Sequence, residues 1–329
     1  MKVAVLGVGA VGGHVAVRLL AAEVAEISLV VREAQRQAIS ERGLTLRMDE
    51  STLTVRPEHV VADAAQLPPQ DLLIVGLKAS SLPAAAETVQ RLLATHGTVV
   101  FLINGVPWWW RHGFDTTPGA LPLLDPDGAL WQGVRPERVL GSVVMSSNEV
   151  QADGVIVNRG KNSYLFGEPD GSSSARLAEV IGLFKRAHIP AAASSDLRRD
   201  IWLKLMLNGA GNPISALTRL STTQRLEVPE VAALMAALRH EILIVGQALG
   251  IDVHEADIEA AAAASPTLRI AARPSMLQDV LLGRPMEVAA ILGQLQVFAR
   301  QHALNTPVLD IVLPLLRGLD RAGRLGADA

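Results

Sequence analysis

Along the first hundred residues, short apolar runs alternate with longer amphipathic ones. Residues 3–6 form a β-rich apolar run, and residues 10–20 an apolar stretch of helical length, with glycines between them. Runs of four to eight apolar residues read as buried strands, and longer ones with 3.6-residue spacing as helices. The same logic predicts strands over 27–31, 72–77 and 98–103, with a helix over 82–94. Strands that alternate with helices predict a parallel sheet with crossover helices. The pattern then changes. Residues 139–145, 154–157 and 163–166 read as strands joined by short turns, which predicts an antiparallel extension of the sheet. A helix is expected over 175–187. Beyond about residue 195 strand signals vanish, and 196–207, 228–249, 286–302 and 307–319 all carry helical spacing. Pro229 and Pro307 stand where a first-turn proline is tolerated. The expected architecture is α/β, with a sheet domain over 1–195 followed by an all-helical domain over 196–329.

The glycines between the first strand and helix read Gly7-Val8-Gly9-Ala10-Val11-Gly12. Gly7 suits a tight turn, Gly9 lets the backbone approach a pyrophosphate, and Gly12 lets helix and strand pack closely. A phosphate there meets free N–H groups and the positive end of the helix dipole. The first domain is therefore expected to be Rossmann-type and to bind a dinucleotide. Arg32 follows the next strand, about twenty residues beyond the glycines, where an NAD-binding protein usually carries Asp or Glu. An arginine offers a flat, permanently charged fork to a 2′-phosphate, so NADP is the expected cofactor. Glu33 is a competing ribose acceptor, and Arg32 as a plain surface charge is the plain alternative.

Length and composition narrow the picture further. A chain of 329 residues, about half of them apolar, suits two domains with cores of their own. With no cysteine, disulfides, a thiol nucleophile and thiolate metal sites are excluded. A formal charge of −3 gives no electrostatic case for nucleic acid or an anionic membrane as partner. No signal segment is read before the first strand, and no apolar run is read as approaching the ~20 residues that span a bilayer. A cytoplasmic protein is expected. The eight histidines are scattered without HxxxH spacing, so no metal is expected, and no GxSxG elbow is present.

In an open α/β sheet, ligands sit outside the carboxyl ends of the strands. Lys78 and Asn104 fall at such ends, as candidates for cofactor phosphate and for the nicotinamide ribose or substrate. Residues 107–131 hold Trp108-Trp109-Trp110 and two turn-rich runs, 115–119 and 125–128. They read either as an aromatic wall or lid over the cofactor end, or as packing that fastens the loop. The strongest catalytic signal lies in the helical half, where residues 201–213 are very apolar yet contain Lys204, Asn208 and Asn212. Positions i, i+4 and i+8 span only about 80° of a helix face. Such side chains are rarely buried without partners, so the stripe faces either a water-excluding cleft or bulk solvent. Gly209, Gly211 and Pro213 are expected to weaken the last turn and leave Asn212 at a kink or helix end. A lysine ammonium can polarise a carbonyl and then protonate the oxygen as hydride arrives, and Lys204 suits that task.

Several linked motifs resemble the ketopantoate reductase (2-dehydropantoate 2-reductase) family over essentially the whole chain. They are Gly7 to Gly12, Gly76-Leu77-Lys78-Ala79, Ile103-Asn104-Gly105, Ile201 to Pro213, Ser275-Met276-Leu277-Gln278-Asp279 and Gly283-Arg284-Pro285-Met286-Glu287. The resemblance implies NADPH-dependent reduction of a 2-oxo acid, with Lys204 as general acid and Asn208, Asn212 and Ser275 holding the substrate. It places Asn104 between substrate and nicotinamide, and Arg32 and Lys78 on the cofactor phosphates. It sets Glu287 at the nicotinamide ribose or the lysine. On their own, Ser275 reads as a helix cap and Glu287 as a first-turn acid suited to the dipole. Three departures bear on substrate: Ala289 and Leu292 replace the family's Asp and Asn, Ala272 replaces an asparagine, and the tryptophan-rich insertion is absent from the shortest members. A bulkier or differently branched 2-oxo acid is thus open, as are a dehydrogenase for a 3-hydroxy acid or imine, a silent NADP-binding sensor, and a homodimeric assembly.

Overall fold

Every residue from Val3 to Leu6 is buried, so the first strand has no solvated face, as a central parallel strand requires. In the computed structural model, which describes residues 1–114, 118–264 and 272–327, the strands are β1 (Lys2–Leu6), β2 (Glu26–Val30), β3 (Leu44–Arg47), β4 (Thr52–Val55), β5 (His59–Val61), β6 (Gln70–Val75), β7 (Leu93–Phe101), β8 (Val139–Met145), β9 (Asn148–Val150), β10 (Ile156–Asn158), β11 (Ser163–Gly167) and β12 (Ala191–Ala193). They form an eight-stranded sheet, ordered β12-β11-β8-β7-β6-β1-β2-β5, and a four-stranded one, ordered β4-β3-β10-β9. The larger sheet is parallel from β5 across to β8. The fold is the expected Rossmann-type sheet followed by helices.

The antiparallel extension is narrower than the pattern predicts. Only the β8–β11 step is antiparallel; β8 pairs with β7, and β12 with β11, in parallel. The strand expected over 154–157 becomes β10 and joins the smaller sheet, pairing in parallel with β3. Alternation of apolar residues specifies a strand but not its partner. Two predicted strands also end early. Residues 72–77 close at Val75, because Gly76 turns against the Gly7 carbonyl, and 98–103 close at Phe101 after starting at Leu93.

Helices α1 (Ala10–Ala21), α2 (Glu33–Arg42), α3 (Leu82–Leu92) and α4 (Ala175–Arg186) complete this part. α1 packs against both sheets, and Val15, Val17, Leu19, Leu46, Ile156 and Phe184 share one core with the strands. Inside it His14 hydrogen-bonds Tyr164 Oη and Asn162 Nδ2, each at 3.2 Å. The three tryptophans are each 1% exposed. Trp108 stands edge-on to Phe101, and Trp109 lies over the Cα of Gly141. They pack the loop to the sheet, and the lid reading falls away. In the second turn-rich run Asp125 is buried and accepts from Leu130 N and Trp131 N, which holds the following helical turn. In the first run, residues 115–117 lie outside the described residues.

The helical part holds α5 (Leu197–Thr218), α6 (Gln224–Glu227), α7 (Pro229–Ala248), α8 (Glu255–Ala264), α9 (Ser275–Leu281), α10 (Gln294–Gln301) and α11 (Pro307–Ala327). A π-helical turn, Ala289–Gly293, leads into α10. By contact density the chain divides into two units: Met1–Ile103 with Trp108–Leu197, and Asn104–Pro107 with Arg198–Ala329. The short segment Asn104–Pro107 thus belongs with the helices, a placement that strand-and-helix alternation does not signal.

Helix α5 does not break at Gly211 or Pro213 as expected; it runs on to Thr218. Its glycines serve close packing instead. A Cβ on Gly209 would press on Ile242 Cδ1 of α7 at 2.9 Å, and one on Gly211 would strike the Arg225 guanidinium at 2.6 Å. α7 corrects another expectation, because it is long and apolar enough to cross a membrane by length and hydropathy. In this unit it receives the Trp202 indole on the Ile242 carbonyl at 3.1 Å. Its buried Glu241 accepts from Val308 N and Leu309 N at the start of α11.

Candidate active site

The glycine turn is built by mutual close approach. Gly7 has φ +88°, a left-handed conformation natural to glycine. A Cβ on Gly12 would overlap the Gly7 carbonyl, and one on Gly76 would come within 2.6 Å of it. The start of α1 is thereby pressed onto the ends of β1 and β6. A Cβ on Gly9 would meet nothing within 4 Å, so the backbone is approachable there. Val8 is buried, and Ala10 and Val11 begin α1 half-buried. No side chain caps α1 and no acid occupies its first turn, which leaves its first N–H groups for an anion. These features fit a dinucleotide pyrophosphate.

Arg32 caps the backbone at the start of α2, past the end of β2, and is exposed. Its neighbour Glu33 is committed elsewhere: both carboxylate oxygens accept from Arg36, at 2.6 and 2.9 Å, and one also from Gln37. These bonds hold the Glu33 carboxyl below its ordinary pKa. Glu33 is thus paired within its own helix, while Arg32 is exposed at that strand end. Lys78 lies half-buried, preceding the turn Ala79–Ser81, on the segment that follows Gly76. Sequence reasoning missed Gln35, whose Nε2 donates to Val8 O at 2.6 Å and ties α2 to the glycine turn. Nothing in a lone glutamine on a polar helix signals such a tie.

In the helical unit the structure joins residues far apart in sequence. Lys204 Nζ donates to Asn104 Oδ1 at 2.6 Å, and Asn104 Nδ2 donates to Glu287 Oε2 at 3.2 Å. Loss of water drives the lysine pKa down to about 8, against the opposing pull of the Glu287 carboxylate. The stripe on α5 is accordingly no solvated face: Lys204 is hydrogen-bonded and Asn212 is buried. Asn208 lies half-buried one turn from each of them. Asn212 Nδ2 donates to Ser275 Oγ at 3.4 Å. Two details differ from expectation. Pro274, not Ser275, holds the cap position of α9, and Glu287 precedes its helix instead of lying in the first turn.

Asn104 is held by a device that the sequence conceals. Gly105 has φ +81°, and a Cβ there would overlap the Ala290 carbonyl, which accepts Val106 N at 2.8 Å. Ala290 lies in the π-helical turn, where one wider turn disturbs the regular bonding ladder. The Asn-Gly pair is thus a turn docked onto the segment that carries Glu287. Among the described residues no group of three His, Cys, Asp or Glu side chains is placed to hold a metal.

Known proteins match this chain over nearly its whole length. Residues 3–171 match the family described as ketopantoate reductase PanE/ApbA, and residues 196–320 match its C-terminal counterpart. A 2-dehydropantoate 2-reductase from Mesorhizobium japonicum is 35% identical over 97% of this chain and 98% of its own. The chain belongs to the ketopantoate reductase family. A Ralstonia solanacearum MolK2 structure with a provisional ketopantoate reductase assignment superposes with TM-score 0.88 at 33% identity, covering 98% of both chains. A D-mandelate dehydrogenase, solved with NADH and anilino(oxo)acetate, shares the fold at TM-score 0.85 and 19% identity, covering 98% of this chain and 99% of its own. Membership of the ketopantoate reductase family makes this chain an oxidoreductase working with a nicotinamide cofactor.

Proposed function

We propose that this protein reduces a 2-oxo acid with NADPH, most simply 2-dehydropantoate (ketopantoate) to pantoate, with Lys204 as the general acid. One observation carries the reading: a partly desolvated ammonium bonded to Asn104, which in turn bonds Glu287. A group with a pKa near 8 is mostly protonated at neutral pH yet gives up its proton readily, as a general acid should. When bound, the reduced nicotinamide supplies the hydride to C2. The glycine turn and the first N–H groups of α1 hold the pyrophosphate, Arg32 the 2′-phosphate, and Lys78 another cofactor phosphate. Asn208, Asn212 and Ser275 bind the carboxylate and hydroxyl groups of the substrate. Lys204 polarises the ketone oxygen and then transfers its Nζ proton to it, leaving a 2-hydroxy acid. Asn104 orients that ammonium through its amide oxygen, and Glu287 keeps it charged.

A second reading, a bulkier 2-oxo acid, is favoured by Ala272. This residue spends its backbone N–H and carbonyl on Thr222 and presents only a methyl group. A panel of 2-oxo acids, including 2-dehydropantoate and arylglyoxylates, followed by loss of NADPH absorbance, ranks the two readings. Cofactor binding without turnover of any panel member would instead favour the silent sensor.

A further inference from the structure

Arg225 is 3% exposed, yet its Nη1 bonds only neutral acceptors, Gly211 O at 2.6 Å and Ser215 Oγ at 3.1 Å. Its Nε is buried without a partner, and so is the Nε of Arg239 on α7. α6 packs against α7. Burial, and secondarily the Arg239 charge, lowers the Arg225 pKa to about 10. Among the described residues no carboxylate pairs with either guanidinium, and residues 265–271 contain no Asp or Glu. Of the acids in this unit, Glu241 is spent on the start of α11, Asp257 on Arg199 and Asp310 on Arg300. A buried cation without a counter-charge is costly, and two that repel each other are more so.

We propose that Arg225 and Arg239 form an anion site inside the helical unit, taking a small oxyanion beside the Asn212–Ser275 pair. The planar fork of a guanidinium matches the two oxygens of a carboxylate or phosphate. The location follows from the chain. Gly211, which Arg225 holds, immediately precedes Asn212. Thr222, three residues before Arg225, exchanges hydrogen bonds with Ala272, three residues before Ser275: Thr222 N donates to Ala272 O and Ala272 N to Thr222 Oγ1, each at 3.0 Å. The guanidinium is thereby tied to the helix that carries Asn212, and the residues just before Arg225 are tied to the segment that carries Ser275. The oxyanion is either the substrate's own carboxylate, which rests on the reductase reading, or a free anion such as phosphate, which does not.

The test uses the full-length protein with inorganic phosphate and 2-dehydropantoate as probes. Phosphate should raise Tm by several degrees over chloride at equal ionic strength, and Arg225→Met and Arg239→Met should each abolish that rise. Should Arg225→Met fail to fold, the half-buried Arg239→Met carries the measurement. A substrate carboxylate in the site predicts that Arg239→Met raises KM about tenfold with kcat nearly unchanged, and that phosphate competes with substrate. A free anion predicts an unchanged KM and phosphate protection that persists under saturating substrate. The proposal is overturned if phosphate protects no better than chloride while Arg239→Met leaves KM within about twofold. Absence of any turnover would sink the reductase reading alone, since the Tm comparison decides the site without it.

Discussion

Lys204 is the side chain on which the proposed chemistry turns, and its environment makes two measurable demands. Lys204→Ala should lower kcat by about a hundredfold to ten-thousandfold, the usual contribution of a general acid. As an acid it acts in its protonated form, so the reduction rate should be flat at low pH and fall as pH rises through about 8. Burial depresses that pKa and the Glu287 carboxylate opposes the depression. Glu287→Gln should therefore move the alkaline limb of the profile to lower pH. An unmoved limb would mean that the titrating group is not Lys204.

Among the elements, α1 and the Asn104–Pro107 segment are each held by contacts that a substitution would test. Gly105→Ala must force a Cβ into the Ala290 carbonyl at φ +81°, and a strain of this kind costs about 2 kcal/mol or more. It should lower Tm and also depress kcat, because the turn aims Asn104. On α1, burial, helped by the Arg18 charge, lowers the His14 pKa from 6.5 to about 4. The folded state thus holds His14 neutral. Its contribution is complete above pH 6.5 and is lost as pH falls toward 4. A shift of that size corresponds to about 3 kcal/mol. Chemical denaturation at pH 7 and pH 4 should show the loss, and His14→Gln should flatten it.

Across the two units the proposed labour is divided. The residues proposed to hold the cofactor phosphates, Gly7 to Gly12, Arg32 and Lys78, lie in the unit that begins with the glycine turn, while the proposed proton donor and substrate amides lie in the helical one. Arg32→Ala should weaken NADPH binding far more than NADH binding, by roughly tenfold or more for a lost guanidinium–phosphate pair, with turnover at saturating NADPH largely kept. Lys204→Ala should do the reverse, leaving the NADPH Kd unchanged. Calorimetric titration of both variants with both cofactors checks the pattern.

Local rules were enough to read β1, the glycine turn, α1 and the helical second half, since each depends on spacing, apolar runs and glycine sterics within a few residues. The Lys204, Asn208 and Asn212 stripe was legible for the same reason, because helical periodicity puts it on one face. Partnership was not legible. That β10 leaves the main sheet, that α5 continues through Gly211 and Pro213, and that Asn104 docks on the π-helical turn beside Glu287 all depend on contacts between distant segments. A pair such as Asn104 and Glu287, 183 positions apart, leaves no periodic trace. Only folding brings their polar atoms within bonding distance, and the loss of water that tunes Lys204 arises there and nowhere in the linear chain.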